Sequence, residues 1–294
     1  MEFEKLTLGC INALRPYFSN NQCRICDCTI GGTFIWRDYH RTEYAIADGA
    51  LYFRVSYPEL AFTPPRSVEL NKRSYELIIE LCSAEGVPAR LCSVSEPVLE
   101  SILGMFPNSK VWTDRVWSDY LYHSADIRDL SGRKFAGQRN HINHFIREHQ
   151  IWSFEHITQD SGKLIEVRAF YEKYAREHVK DSKAYIEGDK KALEVLDNLE
   201  SYGLICGALY VGGDIAGVSI GEIVDDTLFV HIEKAETTYH GAYPMLVNQF
   251  ALMFATGGVE YINREEDDGD DGLRTSKLSY HPTALLNKYA VELL

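Results

Sequence analysis

The chain has 294 residues, of which 45% are hydrophobic and 25% charged, a composition that is ordinary for a globular protein and excludes disorder. Its formal net charge of −13 opposes general binding to DNA or anionic membranes, so no DNA partner is expected. The acidic N-terminus is unlike a secretory signal, and no run of about 18 uncharged apolar residues occurs, so we expect a cytoplasmic protein without a membrane span.

The first part of the chain alternates segments typical of strands and helices. Two apolar runs joined at Asp48-Gly49 predict a hairpin, because this dipeptide suits a tight turn. Further along, the patterns predict a helix over Ser67–Glu85, a strand over Ala89–Val94, a helix capped by Ser95, and one strand over Val111–Tyr122. We place a domain boundary near residue 127, which gives an N-terminal half, 1–127, and a C-terminal half, 128–294.

The second part begins with a basic segment. Residues 128–149 hold five Lys or Arg side chains against two acids, and they form a helical pattern from Arg133. Such a segment is either a phosphate-binding surface or a solvated helix face. A short strand and two helices follow, the helices over Lys163–His178 and Lys191–Tyr202.

The clearest pattern is a three-stranded antiparallel meander. Its strands are predicted over Leu204–Val211, Ile215–Val224 and Thr227–Glu233, separated by short Gly- and Asp-containing turns. An apolar helix over Tyr243–Ala255, a strand over Val259–Asn263 and a helix from Leu273 complete the half. This order is similar to the topology of the acyl-CoA N-acyltransferase (GNAT) fold.

Four sequence segments carry a more specific resemblance. They are CDCTIGGTFIWRDYH at 26–40, LSGRKFAGQRNHINHF at 130–145, SIGEIVDDTLFVHIEKAETTYHGAY at 219–243 and YINREEDDGDDGLRTSKLSYHP at 261–282. Together they resemble the DUF2156 family, which is related to the C-terminal domain of bacterial phosphatidylglycerol lysyltransferases. The resemblance implies an α/β (α+β) protein of two tandem GNAT-like halves, each a mixed, mainly antiparallel sheet flanked by helices.

The resemblance also implies an activity. It is that of an acyl or aminoacyl transferase, with an aminoacyl-tRNA or acyl-CoA donor and an amine or hydroxyl acceptor. The membrane domain that precedes the lysyltransferase members is missing here, so a lipid acceptor is not implied. The alternatives are a non-catalytic ligand-binding protein on a degenerate GNAT fold, and an acetyl-CoA enzyme with an unusual phosphate site.

No cofactor is certain, because the turn that would hold the CoA pyrophosphate is atypical. Acetyltransferases bind this group on a glycine-rich turn at a helix N-terminus, which here corresponds to Gly241 and Ala242. Thr238 and Tyr243 depart from the residues usual around that glycine. CoA and a tRNA 3′ end both remain possible partners.

An acidic loop follows the strand predicted over Val259–Asn263. Within it, Glu265 and Asp267 are the candidate catalytic carboxylates, because amide formation requires a group that accepts a proton from the attacking amine. The alternative is a solvated loop that favours the next helix N-terminus. On the view that Asp267 lies in a surface loop, Asp267→Asn should abolish turnover and leave the fold intact.

The candidate substrate-binding residues form three groups. On the basic helix, Lys134 and Arg139 suit a phosphate and lie beside Asn140 and Asn143. His231 and Glu233 alternate along one strand and so share a face, although Glu233 has Lys234 or Arg264 as an alternative partner. The third group suits a carboxylate, a phosphate or a tRNA 3′ end and contains Asn263, Arg274, Lys277 and Tyr280.

Other motifs point to no site. His141 and His144 have helical spacing for a metal, yet no third ligand follows persuasively, so no metal site is predicted. Cys23, Cys26 and Cys28 are interpreted as reduced, buried thiols. The string Gly217–Gly221 resembles a nucleophile elbow but lies inside a predicted strand.

Overall fold

The computed structural model of the protein describes residues 1–18, 23–67, 71–178 and 182–294. Its strands are β1 Glu4–Lys5, β2 Glu43–Ala47, β3 Ala50–Val55, β4 Ala61–Phe62, β5 Arg90–Val94, β6 Lys110–Thr113, β7 Asp119–His123, β8 Trp152–Ile157, β9 Ile205–Val211, β10 Asp214–Val224, β11 Thr227–Ala235, β12 Tyr261–Asn263, β13 Ala284–Leu286 and β14 Tyr289–Glu292. Its α-helices are α1 Ile11–Leu14, α2 Ile30–Ile35, α3 Lys72–Glu85, α4 Glu96–Met105, α5 Ser124–Asp129, α6 Ala136–Glu148, α7 Leu164–Glu177, α8 Lys183–Asp197, α9 Leu199–Tyr202, α10 Ala242–Phe254 and α11 Asp271–Leu278.

The chain divides into two compact units. The first contains Met1–Asp119 together with Leu286–Leu294, and the second contains Tyr120–Leu285. The division thus falls before residue 127, and the C-terminal strand returns to the first unit. It does so because β14 pairs with both β5 and β6.

The first unit is a seven-stranded sheet in the order β1-β2-β3-β4-β5-β14-β6. Helix α3 begins where the Asn71 side chain accepts a hydrogen bond from the Ser74 amide at 3.1 Å, and it ends at Gly86, whose φ is 70°. Residues 68–70 of the helix predicted over Ser67–Glu85 lie outside the described residues. The helix packs Tyr75 and Ile78 into an apolar core that also takes Phe62, Leu91 and Ile102.

The second unit has a seven-stranded sheet in the order β13-β7-β12-β11-β10-β9-β8. Strands β9, β10 and β11 form the predicted antiparallel meander, while β11 pairs with β12 in parallel. Helix α10 covers this sheet through Met245, Leu246, Val247 and Phe250, all of them buried. The mixed sheets flanked by helices confirm the predicted fold class.

Two predicted elements differ from the structure. The strand expected over Val111–Tyr122 is broken by a short 3₁₀-helix at Arg115–Trp117, and β6 and β7 on either side of it belong to different sheets. The helix expected from Lys191 begins earlier, at Lys183, because Ser182 caps it by accepting a hydrogen bond from the Tyr185 amide. None of the described helices is long and apolar enough to cross a membrane.

Candidate functional site

Strands β11 and β12 of the second unit diverge after a short pairing. Their register joins only Thr227–Phe229 to Tyr261–Asn263, although β11 continues to Ala235 beside β10. Within the described chain, the stretch of β11 from Val230 onward therefore borders a gap beyond the end of β12. Polar side chains from both strands and from the loop after β12 fill the base of this gap.

His231 on β11 lies between two carboxylates. Its Nδ1 is 2.7 Å from Glu265 and its Nε2 is 2.8 Å from Glu222, and the imidazole is almost fully buried. Burial alone would lower the pKa of His231, but the two carboxylates outweigh it and raise the pKa to about 10. The predicted candidates His231 and Glu265 are thus brought together, with His231 held as a cation.

Arg264, directly after β12, is the least expected member of the site. Only 6% of its surface is exposed, one guanidinium nitrogen donates to Glu233, and the guanidinium carbon lies 5.0 Å from the centre of the Tyr280 ring. Its other terminal nitrogen is sealed from solvent and has no hydrogen-bond partner. A buried donor left unmet costs about 1–3 kcal/mol, so this nitrogen favours any acceptor that can reach it.

The side chains of Lys277 and Asn263 hold the loop after β12 in place. The Lys277 ammonium donates to the carbonyls of Arg264, Glu265 and Glu266, at 2.5, 3.3 and 2.5 Å. The Asn263 side chain accepts a hydrogen bond from the Glu265 amide at 2.7 Å. Lys277 and Asn263, both predicted to bind substrate, therefore use their polar atoms to hold this loop.

Asp267 is locked rather than exposed. Both its oxygens accept bonds from Arg274 at 2.9 Å, and the Tyr120 hydroxyl donates at 2.5 Å. Its exposed fraction is 0%, so the expectation that it lies in a surface loop is wrong. The Arg274 hydrogen bonds hold the pKa of Asp267 below its usual range against the opposing effect of burial.

The turn predicted to hold a CoA pyrophosphate is covered by helix α6. Gly241 has a φ of 86°, and a Cβ placed on it would lie 2.4 Å from the His141 carbonyl oxygen. The rings of His141 and His144 lie against His240, with centroids 5.6 and 4.5 Å away. Ala242 is 1% exposed, so little surface of this turn is open to a large anion.

The predicted residues of the basic helix have separate roles. Arg139 donates to the carbonyls of Leu130 and Gly132, so its guanidinium supports the preceding turn. Asn140 and Asn143 are exposed side chains of α6. Lys134 pairs with Asp126 at 2.9 Å and also lines a pocket.

That pocket has a volume of about 510 Å³ and is formed by α6, α10, α11 and the residue after β12. Cationic and hydroxyl groups contributed by Lys134, Arg264, Ser276 and Tyr280 line it, with His141 and His281. Burial raises the pKa of Tyr280, although the Arg264 charge opposes that effect, so the hydroxyl remains a hydrogen-bond donor at neutral pH. The site can bind and orient an anionic group.

Three of these residues were not singled out from the sequence as site residues. Arg264 was considered only as a partner of Glu233, which it is, while Glu222 and Ser276 were not considered. A glutamate inside the apolar strand Asp214–Val224 is the signal that would have found Glu222, since a buried carboxylate needs a partner. Ser276 carries no such signal, because a helix surface serine is common.

The thiols of the first unit take part in close contacts. The Cys28 and Cys23 sulfurs lie 2.7 Å apart, and Cys26 lies 3.2 Å from the Lys288 ammonium. Of the three thiols interpreted as buried, Cys26 is buried, whereas Cys23 and Cys28 are partly exposed.

Comparisons with known proteins agree with this architecture. A model of the C-terminal region of phosphatidylglycerol lysyltransferase matches residues 22–292. A conserved protein of unknown function from Bacteroides thetaiotaomicron is 30% identical, and its structure matches with a TM-score of 0.91 over 100% of both chains. The C-terminal domain (DUF2156) of a proposed lysylphosphatidylglycerol synthetase from Agrobacterium fabrum matches with a TM-score of 0.70 at 12% identity, over 96% of this chain and 90% of that one.

A curated relative matches only in part. It is an uncharacterized protein of Mycoplasmoides gallisepticum, 25% identical over 177 residues, which are 60% of this chain and 56% of the relative. The chain thus matches little more than half of that relative's length. The family match covers nearly all of this chain, and the fold is the expected GNAT-like one. The chain belongs to the phosphatidylglycerol lysyltransferase C-terminal family.

Proposed function

We propose that the second unit transfers an aminoacyl group from an aminoacyl-tRNA to an amine or hydroxyl acceptor. One observation carries the proposal: Arg264, directly after β12, and Lys134 give the pocket a cationic lining, whereas the turn suited to the CoA pyrophosphate is covered by α6. An aminoacyl ester needs no pyrophosphate cradle. Its ribose and phosphate groups need the cation and hydroxyl groups that the pocket provides.

The reaction itself asks for little covalent chemistry from the protein. The acceptor attacks the ester carbonyl, the bond to the ribose oxygen breaks, and the acceptor loses a proton. Most of the acceleration then comes from holding donor and acceptor together. Glu265 stays the proposed proton acceptor, acting beside the imidazolium of His231, while Asp267 and Arg274 support the loop that carries it.

Kinship with lysylphosphatidylglycerol synthetase domains supports an aminoacyl donor. A second candidate function is a non-catalytic binding protein. It is favoured by the fact that no carboxylate lines the pocket within the described chain, and that Glu233, Glu265 and Asp267 are all in ion pairs. Turnover separates the two candidates.

The test uses the full chain with a mixture of tRNAs charged with labelled amino acids, uncharged tRNA and acetyl-CoA. We expect binding of charged tRNA, and transfer of label to an amine or hydroxyl compound from a cell extract. Binding without transfer would favour the non-catalytic protein. Binding of acetyl-CoA with no binding of tRNA would overturn the proposal.

A variant sharpens this test. Glu265→Gln keeps the size of the side chain and removes its charge, so we expect transfer to fall at least tenfold while charged tRNA still binds. The matched control is Glu260→Gln, an exposed glutamate that lies before β12 and outside the site. Equal transfer by both variants would remove Glu265 from the reaction.

A further inference from the structure

The pocket of the second unit combines a buried, incompletely bonded cation with a ring of hydrogen-bond donors. Arg264 is 6% exposed, and the nitrogen that does not bond Glu233 has no partner. Arg264 lines the pocket, so its charge and its unmet donor favour an acceptor bound there. A guanidinium in this state is suited to an oxygen anion, which accepts its N–H groups with a strong, charge-assisted bond.

The rest of the lining has the same character. Ser276 of α11 supplies a hydroxyl, whereas the Ser279 hydroxyl already donates to the Ser276 carbonyl at 2.6 Å. Lys134 supplies a second cation, already paired with Asp126. Among the described residues that line the pocket there is no aspartate or glutamate, although the whole protein carries a net charge of −13. Asp126 and Glu233 pair with Lys134 and Arg264 but do not line the pocket, so the lining itself favours an anion over a cationic ligand.

Helix α10 adds to this preference. It contains 13 residues and begins at the pocket, where Tyr243 and Pro244 form part of the wall. The N-terminus of a helix carries a partial positive charge, which favours a phosphate, although the Ala242 and Met245 amides of α10 are already bonded within the chain. The helix supports the site that Arg264 defines.

We propose that this pocket binds the phosphate of a phosphate ester, with Arg264 as its principal ligand. A phosphate fits better than a carboxylate because its outer oxygens, two in a diester and three in a monoester, are arranged tetrahedrally and can accept bonds from the guanidinium and the Ser276 hydroxyl together. The phosphate has two possible sources: the terminal nucleotide of the donor, or a small anionic acceptor. The link to either substrate rests on the proposed transfer function, whereas phosphate binding does not.

The test is calorimetry on the full chain with adenosine 5′-monophosphate, glycerol 3-phosphate and inorganic phosphate. We expect both esters to bind, and Arg264→Lys to weaken the binding at least tenfold, because a lysine cannot present the second nitrogen to the pocket. Arg176→Lys is the matched control, since Arg176 is an exposed arginine of α7 outside the pocket, and it should bind as the natural chain does.

A second pair of variants tests the same pocket in case Arg264→Lys does not fold. Ser276 is exposed on α11 and lines the pocket, so Ser276→Trp should fill it without touching the Arg264–Glu233 pair. Thr275→Trp, its exposed neighbour outside the pocket, is the control. Weaker binding in Ser276→Trp alone supports the site.

The two esters identify the source of the phosphate. Tighter binding of adenosine monophosphate assigns the pocket to the donor, and tighter binding of glycerol phosphate assigns it to an acceptor. The proposal is overturned if the folded natural chain binds no ester, or if both pocket variants bind as their controls do. Ester binding without any transfer would instead contradict the proposed function and leave the phosphate site in place.

Discussion

Lys288 of the first unit and Arg264 of the second are both cations buried among polar groups, and they differ in how completely they are bonded. In the first unit Lys288 is 5% exposed, and its ammonium contacts Asp27 at 2.6 Å, Asp119 at 2.8 Å and the Cys26 sulfur at 3.2 Å. An ammonium has three N–H donors, so these acceptors saturate it. In the second unit Arg264 is buried to a similar degree and keeps one nitrogen unmet.

This difference separates a structural cluster from a binding site. Burial by itself would raise the pKa of Asp27, yet the charge and hydrogen bond of Lys288, helped by Ser93, hold that pKa below its usual range. In this cluster every N–H group of the Lys288 ammonium already has an acceptor, so none is left to bind a ligand. Arg264 keeps one nitrogen without an acceptor, and the residue lines a pocket.

The largest effect should come from opening the closed cluster. Lys288→Met removes the cation that contacts Asp27 and the buried Asp119 carboxylate, so we expect the free energy of unfolding to fall by about 3–5 kcal/mol. Urea denaturation of the purified protein measures it. Lys110→Met, which removes a lysine that is 65% exposed, is the control and should change stability little. A similar small loss in both variants would mean that Lys288 is not a structural cation.

The next effect concerns His231 in the second unit. Its pKa in the folded protein is about 10, well above the value of about 6.5 in an unfolded chain. The ion pairs of His231 therefore contribute fully below pH 6.5, and their contribution is lost as the pH rises through 10. At about 1.4 kcal/mol per unit of pKa difference, we expect a loss of about 2–4 kcal/mol.

Denaturation at several pH values between 6 and 10, with His231→Gln for comparison, tests this window. The variant has no imidazole to titrate, so its stability should depend less on pH than that of the natural chain. Parallel curves for the two proteins would show that His231 is not held as a buried cation.

A smaller effect is expected for Asp267→Asn. The asparagine loses the charge that Arg274 and Tyr120 bind, so the free energy of unfolding should fall by about 2–3 kcal/mol at neutral pH. Because the pKa of Asp267 is lowered by folding, its contribution is present above about pH 4 and fades as the pH falls through the folded value. If the variant is as stable as the natural chain at pH 7, the hydrogen bonds of Asp267 do not stabilise the fold, and a purely chemical role for Asp267 is again favoured.

The smallest effect should come from Tyr120→Phe. It removes one hydroxyl from Asp267 while the Arg274 bonds and the Gly269 amide, 3.0 Å from the carboxylate, remain. We expect a loss of about 1 kcal/mol, read from thermal or urea unfolding. A loss as large as that of Asp267→Asn would mean that most of the stabilisation from Asp267 comes through the Tyr120 hydroxyl.

Much of the fold follows from local sequence patterns. The meander from Ile205 to Ala235 and the helix over Ala242–Phe254 were predicted closely, because alternating apolar residues, Gly-containing turns and an apolar helix are local features. The single strand predicted over Val111–Tyr122 was wrong because its two ends join different sheets. No local property of Trp117 or Ser118 indicates such a change of partner.

The sequence by itself determined the family, the order of the elements and the types of residue near the site, since these depend on neighbouring residues and on recognisable phrases. Only the tertiary structure decided which polar groups are already bonded. It turned Asp267 from an exposed base into a buried support, and it left one nitrogen of Arg264 without an acceptor. Hydrogen-bond saturation depends on residues far apart in the chain, such as Tyr120 and Asp267, so it exists only once the chain is folded.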